Sequence, residues 1–245
     1  MIETPTASPP SPPPRQVTVA PPPEPSIARI SARTAVILLL FTLAFTALMV
    51  GTYKITQPLV EASAQAEKLR LIGEVLPPTL YDNKLLDDAV TLPPTKALGL
   101  DEETRIYRAR LAGKPVALVF ESAAPDGYSG RVGLILAVSA DGRVLAQRVT
   151  QHKETPGLGD YIDPKKDKNK ASPWIKQFDG FGYDTVLGKK WRVKKDGGRF
   201  DQRAGATISA RAVTNASGRA LLWAHERGTK LFSLPSGNTF EEKAP

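Results

Sequence analysis

One apolar run dominates the hydropathy pattern: TAVILLLFTLAFTALMVGTY, residues 34–53, contains no charged residue and lies between Arg33 and Lys54. A helix of this length rises roughly 30 Å, the thickness of a bilayer's hydrocarbon core. A cleaved signal peptide is the competing reading, with Ala62-Ser63-Ala64 as its cleavage site. The long proline-rich stretch before the run, and the distance to that site, favour an uncleaved anchor. From 58 to 76 the spacing becomes that of an amphipathic helix, which Pro77-Pro78 should stop. Alternation then signals strands. Residues 104–111 place Tyr107, Ala109 and Leu111 on one face, and 115–121 follow an Ala-Gly-Lys turn. Residues 132–138 and 144–151 flank Ala-Asp-Gly-Arg, a second hairpin signal. A last helix is expected over about 209–227, with Val213, Ala216, Ala220, Trp223 and Ala224 on one stripe and Gly228 ending it.

Strands followed by a closing helix predict an α+β domain over 97–234. Around it the sequence predicts a disordered proline-rich tail (1–33), a transmembrane helix (34–53), a juxtamembrane helix and connector (54–96) and a flexible C-terminal tail (235–245). Orientation is weakly signalled. Arg29 and Arg33 precede the span closely, while Lys54, Lys68 and Arg70 follow it. A cytoplasmic N-terminus with the domain outside is the favoured arrangement.

Composition narrows the chemistry. Lys and Arg total 33 against 25 acidic residues, a net charge of +8. Basic residues cluster in loops, notably 164–170 and 188–195, and no nucleic-acid motif accompanies them, so nucleic acid is not an expected partner. Solvated loops are the ordinary reading of such runs; attraction to an anionic membrane or a neighbouring subunit is the functional one. Cysteine is absent, which excludes disulfides, Fe–S ligation and thiolate zinc sites. His152 and His225 are the two histidines, so a multi-histidine metal site is not expected. Any redox chemistry then needs an organic cofactor or a sparsely liganded haem.

DQRAGAT, residues 201–207, stands just before the last helix. Thr207 is preceded by three small residues, Ala204, Gly205 and Ala206, and lies near the helix's free N–H groups, where a phosphate is favoured. Asp201 could orient the hydroxyl or bind a metal during its modification. A plain tight turn explains the same residues. Ser209 reads as a residue that begins or caps the helix.

The motif resembles the acceptor site of flavoproteins that carry FMN joined through its phosphate to a threonine. Asp201, Gly205, Ala206 and Thr207 match it, with Ala204 where Ser or Thr is more usual. Residues 127–160, GYSGRVGLILAVSADGRVLAQRVTQHKETPGLGD, resemble the FMN-binding domain shared by the G subunit of the Rnf (Rsx) electron-transport complex and the C subunit of the sodium-pumping NADH:quinone reductase. The resemblance covers roughly 36–232, and AGATISARAVTNA favours the former.

It implies an electron-relay subunit of a membrane complex that couples ferredoxin/NAD electron transfer to sodium or proton movement. Its FMN would be covalently bound at Thr207, and no catalytic residue or metal is expected. Partners would be the other subunits, membrane lipid and a flavin transferase that uses FAD. The location implied is the cytoplasmic (inner) membrane, with the flavin domain on the periplasmic side.

In the loop, Glu154 and Thr155 are expected to hydrogen-bond to the ring and Leu158 to pack on it. Gly157 and Gly159 would allow close backbone approach. The quinone-reductase C subunit is the alternative within this class; a non-redox membrane-tethered binding or assembly module is the alternative outside it. His152 reads as structural, and His225 and Arg227 as complements to the last helical turn. Trp174, Phe178 and Phe181 would line the flavin or, more simply, form core.

Overall fold

The computed structural model describes residues 27–241, and the chain divides into compact units between Val60 and Glu61. Most of the expected N-terminal tail (1–26) lies outside the described residues. Helix α1, Ile27–Val75, is 49 residues long. It begins before the expected start at 34 and continues through Pro58, where the sequence predicts a junction between separate helices. Proline removes one backbone donor and kinks a helix, but the stretch rich in Ala, Glu and Leu that follows it (59–71) is a strong helix former and carries the helix onward. Large apolar side chains in the first unit stand exposed, Phe41 at 60% and Leu48 at 65% among them. It is the pattern of a lipid-facing helix, and among the described residues α1 is the candidate span.

The second unit is built on a five-stranded antiparallel meander: β1 Ala89–Leu92, β2 Thr104–Leu111, β3 Lys114–Gly127, β4 Gly130–Ser139 and β5 Val144–Gln151, adjacent in chain order. β1 falls inside the predicted connector. Four residues are too short to show a period, and pairing with β2 holds them as a strand. Apolar side chains point to both faces. On one, Ile106, Leu118, Phe120, Leu134 and Leu136 pack in a core with residues of α3, Thr207–Ser233. On the other, Tyr107, Ala109, Val119 and Ile135 pack with Ile72, Val75 and Leu76. Leu111, expected on that face, is 47% exposed at the strand end.

Small residues let α3 lie close to the sheet, and Gly218 is required sterically. A Cβ there would lie 2.6 Å from Cδ1 of Trp191, whose indole N–H donates to the Thr214 carbonyl at 2.9 Å. A short helix, α2 (Tyr183–Leu187), precedes it. Gly228 does not end α3, which continues to Ser233 because Leu231 is buried in the core. Arg108, 2% exposed, takes up its last turn: it donates to the Leu231 carbonyl at 2.9 Å and to that of Leu234, and pairs with Asp88. Such donors satisfy carbonyls that a helix end leaves unpaired. With α3 ending at Ser233, His225 and Arg227 stand ahead of its last turn. His225 stacks on Tyr183, and Arg227 lies over Trp223.

The segment after 235 is expected from sequence to be flexible. Thr239 instead bridges to Thr91, and Phe240 is 2% exposed in the core; residues 242–245 lie outside the described residues.

Candidate cofactor site

Three loops converge at one end of the sheet and line a cavity of about 110 Å³: the β3–β4 turn, the segment after β5, and the start of α3. Its walls are Tyr128 from the first, Glu154, Thr155, Leu158 and Gly159 from the second, and Gly205, Ala206, Ile208 and Ser209 from the third. The volume is well below the several hundred Å³ that bury a drug-sized ligand, so a larger group would seat one edge here and leave the rest exposed. Apolar side chains form the rim: Tyr128, Leu158 and Ile208 are 66%, 47% and 45% exposed.

The β5 loop is a tight turn. The Thr155 carbonyl accepts from the N–H groups of Leu158 (3.1 Å) and Gly159 (3.0 Å), and the Gly157 N–H donates to Asp160 Oδ1 at 2.9 Å. Gly157 has φ +75°, a left-handed conformation that favours glycine. Thr155, Leu158 and Gly159 thus line the cavity, whereas Gly157 shapes the turn and is not among the lining residues. His152 acts structurally, its Nδ1 accepting the Glu154 N–H at 3.2 Å.

Glu154 is 4% exposed. Its Oε2 accepts the Ser209 hydroxyl at 2.5 Å, and its Oε1 accepts the Ser129 N–H at 3.2 Å. Glycine makes the room: a Cβ on Gly159 would come within 2.9 Å of Oε2, and one on Gly127 within 2.8 Å of Oε1. Neither Ser209, Ser129, Tyr128 nor Ile208 stands out as a site residue in the sequence. Tyr128 and Ser129 lie inside the GYSG segment, the one signal that could have raised them.

The DQRAGAT loop is pinned from outside the cavity. Arg203 pairs with Asp167, lies 4.4 Å over the Tyr161 ring, and donates its N–H to Tyr161 Oη at 3.1 Å. Burial pushes the Asp167 carboxyl pKa up, but donors from Trp174, Asn169 and Arg203 outweigh it, and the net value is below the ordinary one. Burial likewise raises the Tyr161 phenol. Asp201 stays at the surface, paired with Lys194 at 2.5 Å, and does not line the cavity. Trp174 and Phe178 are buried core and Phe181 packs against it; none lines the cavity.

Thr207 is the first residue of α3, partly exposed, between the cavity-lining Ala206 and Ile208. Ala206 occupies the cap position, and among the described residues no side chain caps the helix. Ser209 therefore does not begin or cap α3; the residue is 1% exposed and its hydroxyl donates to Glu154. An uncapped N-terminus presents free N–H groups and the positive end of the helix dipole to an anion.

Comparison with known proteins covers both the helix and the domain. Residues 127–222 match the family described as an FMN-binding domain, and residues 27–75 match the RnfG N-terminal region. The chain is similar to proteins named as the G subunit of an ion-translocating oxidoreductase complex. One from Pseudomonas aeruginosa is 43% identical over 193 residues, covering 79% of this chain and 88% of that protein. Relatives from Shewanella loihica (38% over 208 residues, 85% and 96% covered) and Photorhabdus laumondii (40% over 204 residues, 83% and 95%) carry the same name.

Proposed function

The chain belongs to the family of ion-translocating oxidoreductase complex G subunits, and we propose that it works through one FMN esterified by its phosphate to Thr207. It is an electron-relay subunit of such a complex, and the other subunits are its partners. When bound, FMN supplies the electron-carrying chemistry. The protein's residues hold, orient and tune it.

One observation carries the attachment: of the two hydroxyls in the first turn of α3, Thr207 is accessible at an uncapped helix start, while Ser209 is buried against Glu154. The anion-favouring helix end suits the phosphate diester. The adjoining cavity, polar at Glu154, Thr155 and Ser209 and apolar at its rim, suits one edge of a tricyclic ring that has both characters. A transferase acting on the Thr207 hydroxyl would meet no bulky neighbour at Ala204, Gly205 and Ala206.

The membrane arrangement proposed is a single pass through lipid by part of α1, with the N-terminus cytoplasmic and the flavin domain periplasmic. Exposed apolar side chains on α1 support the span; the flanking basic residues, Arg29 and Arg33 before it and Lys54, Lys68 and Arg70 after it, nearly balance, so the orientation rests on the family resemblance. Exchange of electrons between ferredoxin and NAD, coupled to sodium or proton movement, is proposed for the whole complex.

Intact mass and peptide mapping of protein made together with its flavin transferase test the attachment. One FMN is expected on the peptide containing Thr207. Thr207→Val should abolish covalent flavin in a folded chain, and Ser209→Ala should retain it. Flavin on another residue, or none in the wild type, overturns the assignment.

A further inference from the structure

We propose that the Glu154 carboxylate is a fixed negative charge that lowers the reduction potential of the flavin, with Ser209 as the positioning residue that holds it. The inference rests on the covalent FMN at Thr207 and concerns the same cavity.

Buried carboxylates in proteins are ordinarily paired with a cation or a metal, because desolvating a lone charge is costly. Glu154 is 4% exposed, yet among the described residues no Lys, Arg or His forms an ion pair with it. Its partners are neutral: a serine hydroxyl at 2.5 Å and a backbone N–H at 3.2 Å. Those donors occupy one site on each oxygen and hold the group in place, and neither carries a positive charge. The surrounding backbone is shaped to leave space for it, since a Cβ on Gly127 or Gly159 would press on its oxygens.

A purely structural link between the β5 loop and α3 does not need a charge. Glutamine is nearly isosteric, and the Ser209 hydroxyl could rotate from donor to acceptor to meet its amide. Glu154 lines the cavity beside Thr207's neighbours Ala206 and Ile208, so a negative charge there would bear on whatever edge of the ring is seated in it. Adding an electron next to a negative charge is opposed by Coulomb repulsion, which is little screened away from water.

The test is a spectroelectrochemical titration of the full-length chain, in detergent, carrying flavin shown to be covalent by retention after denaturation. Glu154→Gln and Glu154→Ala should each raise the midpoint potential by at least tenfold in the reduction equilibrium, about 59 mV for a one-electron step. Glu154→Asp keeps the charge and should stay closer to the wild type than to Glu154→Gln. A wild-type potential in Glu154→Gln overturns the inference, as does Glu154→Asp titrating with Glu154→Gln. If the charge-free variants fold but take up no flavin, Glu154 serves cofactor loading instead; if both fail to fold, its role is structural. Either result also overturns the inference. Wild-type chain without covalent flavin fails the underlying assignment, and is recognised before any titration begins.

Discussion

Replacing Gly159 with alanine isolates how the cavity holds its carboxylate. Gly159 has φ −93° and ψ −17°, a conformation any residue adopts, so the substitution brings no backbone strain. The cost is steric. The new methyl would lie 2.8 Å from Ser209 Oγ, 2.9 Å from Glu154 Oε2 and 3.3 Å from Glu154 Cβ. Neither side chain is a free end that can swing away: both are buried and joined by a 2.5 Å hydrogen bond. Relief requires parting them, which leaves a buried acceptor short of a donor at about 1–3 kcal/mol. Overpacking without parting them costs about as much. Since the two are alternatives rather than a sum, a loss of about 2–3 kcal/mol is expected, or roughly 4–12 °C in Tm for a domain of this size. Gly157→Ala is the control. That glycine has φ +75°, and among the described residues nothing lies within 4 Å of where a Cβ would stand, so it loses only the left-handed allowance, about 1 kcal/mol. Thermal unfolding by circular dichroism, with covalent flavin absorbance measured per protein, compares the two. Gly159→Ala should show the larger Tm loss and reduced flavin occupancy; Gly157→Ala should keep its flavin. Equal Tm shifts with full occupancy in both would refute the cradle.

Burial raises the Asp179 carboxyl to about 6, against the partial compensation of Arg148 and Lys176, so the folded state binds its proton more tightly than the unfolded state does. Stability from this group is present below the ordinary carboxylate range and lost as pH rises through about 6. Asp179→Asn should therefore flatten the fall in Tm between acid and neutral pH, and should exceed the wild type at neutral pH by about 1 kcal/mol after allowance for solvent screening; an unchanged pH profile would contradict this. For the membrane arrangement, a reporter enzyme fused after residue 241 should be active only outside the cytoplasm. Activity in the cytoplasm would reverse the proposed orientation.

The apolar run at 34–53, the β4–β5 hairpin and the amphipathic stripe of α3 were legible because each is a local property, set by side-chain period and turn chemistry. The two motif segments were legible for a different reason: they match a family pattern residue by residue, and the structure brings both to one cavity. What the sequence left open depends on partners distant in the chain. β1 is a strand because β2 pairs with it, and residues 237–240 are ordered because β1 and the core accept them. α3 outlasts Gly228 because Leu231 is buried in the core and Arg108, more than a hundred positions earlier, donates to the carbonyls at its end. The same holds at the site. Ser209 has the composition of a cap, but Glu154, 55 positions away, takes its hydroxyl and so leaves Thr207 as the accessible one. Local pattern decides which elements form. Which hydroxyl faces solvent, and which carboxylate is buried without a cation, is decided by contacts that exist only once the chain has folded.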